Sequence, residues 1–208
     1  ETKDWAKILD YWLKFRKTLV RNYGVPVAKE LHATHFVNGR REISTSRPKR
    51  YENDPRWKQT LGRELAVACL GALRDCPHIE LGAAYYQTTK KGEELTADRE
   101  LAYEKLVALW DSQLRVSGDY GLVGMDGEGT DPVYYRGHRA LDIHTRRIVE
   151  DPMFHSSQRS QWTQMADIVA WTSFTHLNKH DANEFAWDWY ESYLKPRARM
   201  DPIDLKTL

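Results

Sequence analysis

The chain has 208 residues, with 31 Lys plus Arg against 30 Asp plus Glu. It is long enough to bury a core without staples, and it lacks the global positive field of a strongly basic nucleic-acid binder. Two cysteines, Cys69 and Cys76, have a spacing that suits neither a metal site nor a disulfide framework, and they read as reduced thiols. No apolar run approaches the ~20 residues of a membrane span, and no signal peptide is visible. The composition therefore describes a cytoplasmic protein with no membrane partner, most simply one domain over 1–208 with a C-terminal helical extension at 178–208.

In chain order, Trp5, Ile8, Leu9, Trp12, Leu13 and Val20 recur at three- and four-residue spacing, which predicts an amphipathic helix over 4–22 stopped by Gly24 and Pro26. Residues 25–33 alternate as a strand would, placing Glu30 and His32 side by side. Residues 38–53 gather Arg40, Arg41, Arg47, Lys49 and Arg50 among Asn, Gly, Ser and Pro. This basic loop is the one concentrated positive patch, and a candidate grip on a phosphate backbone. Asp54 and Pro55 open a second helix, with Leu61, Leu65, Ala68, Cys69 and Ala72 facing the core and Pro77 closing it.

A strand is expected over 79–87. A helix follows, capped by Thr96, lined by Leu101, Leu106, Leu109, Trp110 and Leu114 and closed by Ser117-Gly118. The run Tyr120–Asp126 has the pattern of a buried central strand and ends in the acidic stretch Asp126-Gly-Glu128-Gly-Thr-Asp131. Residues 133–145 suggest a helix and 147–150 an edge strand. The stretch Ser160-Gln-Trp-Thr-Gln164-Met-Ala-Asp167-Ile-Val-Ala-Trp171 is helical, with Ser160, Gln164, Asp167 and Trp171 on one face and Met165, Ile168, Val169 and Thr172 elsewhere. A capping box, Asp181–Glu184, opens a last aromatic helix ended by Pro196. Strands alternating with long helices indicate an α/β fold with a largely parallel central sheet.

A carboxylate on an otherwise apolar helix requires a cation or hydrogen-bond donors, so Asp167 calls for a metal ion or a basic partner. Asp126, at the carboxyl end of a strand, occupies the place where α/β sheets collect their functional groups. Oxygen-rich carboxylate sets suit Mg²⁺ or Mn²⁺, commonly held by one or two carboxylates plus substrate phosphate. Glu30 is the third candidate ligand, and His32 a candidate ligand or general base near neutral pH. Glu128 and Asp131 are equally explained by turn formation.

Glu30-Leu-His32-Ala, a strand ending in Met125-Asp126 with Glu128 behind it, and Ser156-Ser157 followed by Gln164-Met-Ala-Asp167-Ile-Val-Ala170 together resemble the domain-of-unknown-function family thirty-eight hundred. Met165 stands where that family usually has Leu. The resemblance implies a ribonuclease H-like α/β fold, a mixed central sheet flanked by helices, in a bacterial or phage setting. The family's opening strand and hairpin, with its Asp-Glu-Ser motif, has no counterpart in this chain, so the first strands are expected to be missing or outside it. A sheet edge left bare would be covered by self-association or by a second chain.

The activity implied is a divalent-metal-dependent phosphodiesterase, or nuclease, acting on nucleic acid. Asp126, Asp167 and Glu30 would be its Mg²⁺ or Mn²⁺ ligands, and Glu30 or His32 would complete the metal's ligands or handle protons. Gln164 and Ser160 would orient the carboxylate by hydrogen bonds, and the Arg40–Arg50 cations would hold substrate. The alternative is a non-catalytic module of phage or mobile-element origin, binding a protein or a nucleotide in the same cleft.

Overall fold

The computed structural model describes residues 4–208. They group into two compact units: one runs to Ala83 and resumes at Ser157–Asp201, the other comprises Ala84–Ser156 and Pro202–Leu208. Among the described residues the strands fall in the second unit, and the fold is mixed α/β.

Unit 1 is helical. Helix α1 (Trp5–Tyr23) ends at Gly24, whose φ of 65° supplies the left-handed turn that closes it. Its buried stripe is Ile8, Trp12, Arg16 and Leu19, at spacings of four, four and three, while Trp5 and Val20 are exposed. An arginine thus stands in the middle of a core face. The segment expected as a strand at 25–33 is instead irregular, followed by the short α2 (Ala33–Phe36). Strand pairing is replaced there by side-chain donors, as described below. The basic loop packs onto the end of α1. Gly24 O accepts the Thr45 N–H at 3.2 Å, and Ile43, Ser44 and Tyr51 are buried.

Helix α3 (Trp57–Asp75) starts three residues after Asp54. Asp54 accepts the Arg56 N–H at 2.8 Å and the Thr60 hydroxyl at 2.6 Å, and so does the work of a cap. Gly62 lies against α2: a Cβ there would stand 1.8 Å from Phe36 O. Helix α6 (Gln161–Asn178) is capped by Ser160, which accepts the Thr163 N–H at 3.3 Å. The region expected to be one capped helix after Asp181 is a chain of 3₁₀ and π turns through Arg197, and its Ala186, Trp189, Tyr190 and Leu194 belong to the unit 1 core.

Unit 2 holds β1 (Ala84–Tyr85), α4 (Gly92–Ser117), β2 (Gly124–Asp126), α5 (Pro132–Arg139), β3 (Met153–His155) and β4 (Ile203–Asp204). The expected central sheet is not formed by the described residues; β1 pairs parallel with β4, and β2 parallel with β3, as two separate two-stranded ribbons. The run 120–126, expected to be buried, has Tyr120 and Leu122 exposed. Helix α4 begins at Gly92, so Thr96 lies inside it and donates to Gly92 O. Its inward face is Tyr103, Val107 and Asp111, a register that leaves the expected Leu101 exposed. Asp111 is buried because it caps another segment, accepting the Arg147 and Ile148 N–H groups. Among the described residues no helix is long and apolar enough to cross a membrane.

Candidate functional site

The polar side chains of α6 are held from below by Arg16. Its guanidinium is fully buried and donates to Gln164 Oε1 at 2.9 Å. It also donates to the carbonyls of Pro26 at 3.1 Å, Val27 at 2.9 Å and Lys29. One cation therefore folds the 26–29 backbone around itself, making the bonds that a neighbouring strand would otherwise supply. Burial pulls the Arg16 pKa below its ordinary value, and among the described residues no carboxylate pairs with it: the expected basic partner in this core pairs with Gln164 rather than with Asp167. Gln164 completes the lock, accepting the Leu31 N–H at 3.2 Å and donating to Ser157 O at 2.7 Å.

One turn along α6, Asp167 is half-buried, with its side chain 35% exposed. Its Oδ2 accepts the Ala33 N–H at 2.7 Å, closing the start of α2. His32 Nδ1 lies 3.3 Å from the same oxygen without the alignment of a hydrogen bond. The His32 and His35 rings meet with centroids 4.1 Å apart. Burial, then the fields of His32 and Arg41, hold the His35 imidazole below its usual pKa, with Glu30 acting the other way and Arg40 reinforcing the fall. Arg40 is fastened beside it, its N–H donating to His35 O at 2.9 Å. Unit 1 thus brings His32, His35 and Asp167 to one corner, with Glu30, Arg40 and Arg41 on its rim. Neither Gln164 nor Ser160 hydrogen-bonds Asp167 among the described residues; both act on the backbone that carries it.

The five cations of the basic loop separate into two groups. Arg47 donates to Tyr51 O and Asp54 O. Arg50 lies over Tyr23 and Tyr51, both at 4.6 Å, and pairs with Glu64 at 3.0 Å. These two arginines fold the loop. Arg40, Arg41 and Lys49 are exposed and make no ion pair among the described residues.

In unit 2, Asp126 ends β2 and is exposed. Its parallel partner on β3 is His155, whose ring reaches over Gly124: a Cβ there would stand 3.7 Å from His155 Cδ2. Asp131 is structural, capping α5 through the Val133 N–H at 3.0 Å and pairing with Arg99 at 2.7 Å. Glu128 is exposed in the turn between.

Asp126 and Asp167 therefore belong to different units, each carboxylate with a histidine beside it in its own unit. Among the described residues no group of three or more His, Cys, Asp or Glu side chains converges as a metal site. What either unit offers is one or two carboxylates open to solvent, the protein's minimum share of a Mg²⁺ shell that is otherwise water and phosphate. The sequence reading missed Arg16, His35 and His155. Arg16 is visible in retrospect as the polar member of an apolar helical stripe, and His35 as the third residue after His32. Only strand register reveals His155. Comparison of the chain with protein-family models, with curated proteins and with solved structures finds no match.

Proposed function

We propose that the chain is a ribonuclease H-like phosphodiesterase acting on nucleic acid with Mg²⁺ or Mn²⁺, of the kind implied by its resemblance to the domain-of-unknown-function family thirty-eight hundred. The observation that carries this reading is the Asp167 corner. Its carboxylate has one oxygen fixed by the Ala33 N–H, and it stands on a helix locked in place through Gln164 and Arg16. In unit 1 Asp167 and Glu30 would hold an ion, and in unit 2 Asp126 would hold one of its own; such an ion would supply charge stabilisation to the phosphoryl oxygens. His32, whose Nδ1 lies 3.3 Å from Asp167 Oδ2, would accept a proton from attacking water. Arg40 and Arg41 would hold the phosphate backbone beside it.

The test is calorimetric titration of Mn²⁺ into the wild type, Asp126→Asn and Asp167→Asn, with cleavage of labelled single- and double-stranded oligonucleotides alongside. Binding that weakens at least tenfold in either variant, with loss of cleavage, is the expected result. No binding and no cleavage by the wild type would overturn the reading.

One observation favours a second reading: no three-donor group converges among the described residues. On that reading the chain is a non-catalytic module of phage or mobile-element origin that binds a nucleotide or a protein. It would then bind without cleaving, and Asp167→Asn would leave affinity unchanged.

A further inference from the structure

The β2–β3 ribbon of unit 2 has two chemically different faces. Val123, Met125 and Phe154 are half-buried and Ile148 is buried, with Val123 and Met125 packed on the small core around Val107. The residues alternating with them face solvent: Tyr120 is 67% exposed, Leu122 61%, Met153 43% and Val149 41%. Asp126 and His155, paired in register, end the same face. Alternation is expected of a sheet covered on one side, but the open side is ordinarily polar. Here it carries large apolar side chains and a tyrosine that no core requires.

Three further features define the occupant. The Arg147 guanidinium lies 4.8 Å from the Tyr120 ring centroid and makes no side-chain ion pair among the described residues, so a cation and a ring face are offered together. His155 lies over Gly124, where the missing side chain leaves the ribbon flat. Between Tyr120 and His155 the floor is Leu122 and Met153. An aromatic ring at each end, an apolar floor and a cation beside it match unpaired bases joined by a polyanion. A duplex keeps its base faces stacked against one another, so ring faces offered for stacking select unpaired bases.

We propose that this face is a platform for single-stranded nucleic acid. Bases stack on Tyr120 and His155, Leu122 and Met153 support the chain between them, and Arg147 contacts phosphate. The strand direction runs about 20 Å from Tyr120 to Asp126 at ~3.3 Å per residue. This names the substrate class for the phosphodiesterase reading, and rests on that reading only in leading the bound strand to Asp126.

The test is fluorescence-anisotropy titration of a labelled 12-nucleotide single strand and of its duplex in EDTA, with wild type, Tyr120→Ala, Tyr120→Phe and Arg147→Ala. The expected results are single-strand binding at least tenfold tighter than duplex binding, and a loss of about 5- to 150-fold in Tyr120→Ala, the range for one stacked base. Tyr120→Phe should retain affinity, and Arg147→Ala should lower the salt slope by about one contact. Equal affinity of wild type and Tyr120→Ala, or a preference for duplex, overturns the platform. So does self-association through this face that Leu122→Ser abolishes while no oligonucleotide binds. Single-strand binding that depends on Tyr120, with no cleavage in Mn²⁺, keeps the platform and removes the phosphodiesterase. Cleavage with an unchanged KM in Tyr120→Ala does the reverse.

Discussion

Arg16 Nη1 and Gln164 Oε1 meet at 2.9 Å in the interior of unit 1, 148 residues apart in sequence. The pair ties helix α1, helix α6 and the 26–31 segment to one buried point. Gln164→Ala would leave Arg16 Nη1, the Leu31 N–H and the Ser157 carbonyl without that partner. At ~1–3 kcal/mol for each buried group left unsatisfied, we expect a loss of at least about 3 kcal/mol in denaturant unfolding. In a double-mutant cycle with Arg16→Met and Gln164→Leu, the two changes should couple by at least ~0.5 kcal/mol; additive losses would show that the bond contributes nothing of its own.

Gly62→Ala tests the contact between α2 and α3. A methyl group 1.8 Å from Phe36 O cannot be accommodated without moving backbone, so the loss should reach or exceed the ~1–3 kcal/mol of ordinary overpacking. Ala68→Gly, on the same helix, should cost only about 1 kcal/mol. Thermal unfolding of the two variants separates the contact from helix propensity.

Asp167 has a structural duty apart from any reaction, because its Oδ2 closes the start of α2. Asp167→Ala should cost about 1 kcal/mol, the usual value of a lost helix cap. Asp167→Asn retains an acceptor oxygen and should cost less. Chemical denaturation of both variants decides the matter, and equal losses in Asn and Ala would show that the charge, not the hydrogen bond, is what the fold uses.

His138 is fully buried, with Nε2 2.9 Å from the Tyr103 hydroxyl and Nδ1 3.1 Å from Glu150 O. A carbonyl can only accept, so Nδ1 carries the proton and Nε2 accepts from Tyr103. Burial lowers the His138 pKa, against the opposing pull of the Glu150 carbonyl and Asp151. The unfolded state therefore binds this proton first as pH falls. The stabilisation is complete above the unfolded value near 6.5 and is lost between that value and the lower folded one. We expect stability to fall as pH drops below about 6.5, and this part of the fall to vanish in His138→Gln; a wild-type profile flat from pH 7 to 5 would contradict it.

Cys69 is enclosed in the unit 1 core, and burial pushes its thiol up to about 12. Thiolate is the reactive form, so Ellman's reagent should leave Cys69 unlabelled in the native protein at pH 8 and label it once urea unfolds the chain. Rapid native labelling of a protein whose other cysteine is replaced, Cys76→Ser, would show that this core opens.

Local signals served the helices well. Gly24, Asp54, Gly118 and Ser160 mark helix ends that the sequence states within a few residues. The 25–33 segment defeated the same reasoning because alternation alone does not make a strand. Its backbone bonds go to a guanidinium on a helix ten residues earlier, and no periodicity encodes that. The central sheet was inferred from apolar runs, but the run at 120–126 covers a core on only one side. Asp167 was legible as a carboxylate out of place on its helix. Its actual donor, the Ala33 amide, is a main-chain group that carries no sequence signature. The division of Asp126 and Asp167 between two units follows from long-range contacts, to which neither motif refers.

Unit 1 is written in two pieces, with residues 84–156 between them. At about 5–20 residues per second on the ribosome, roughly 7–30 s separates the synthesis of Arg16 from that of Gln164, 148 residues later. Through that interval α1 and α3 exist without α6, and the guanidinium remains hydrated. The nascent chain must hold its first helices unfinished until the last third of the protein has emerged, which makes completion of this core a late event in its biogenesis.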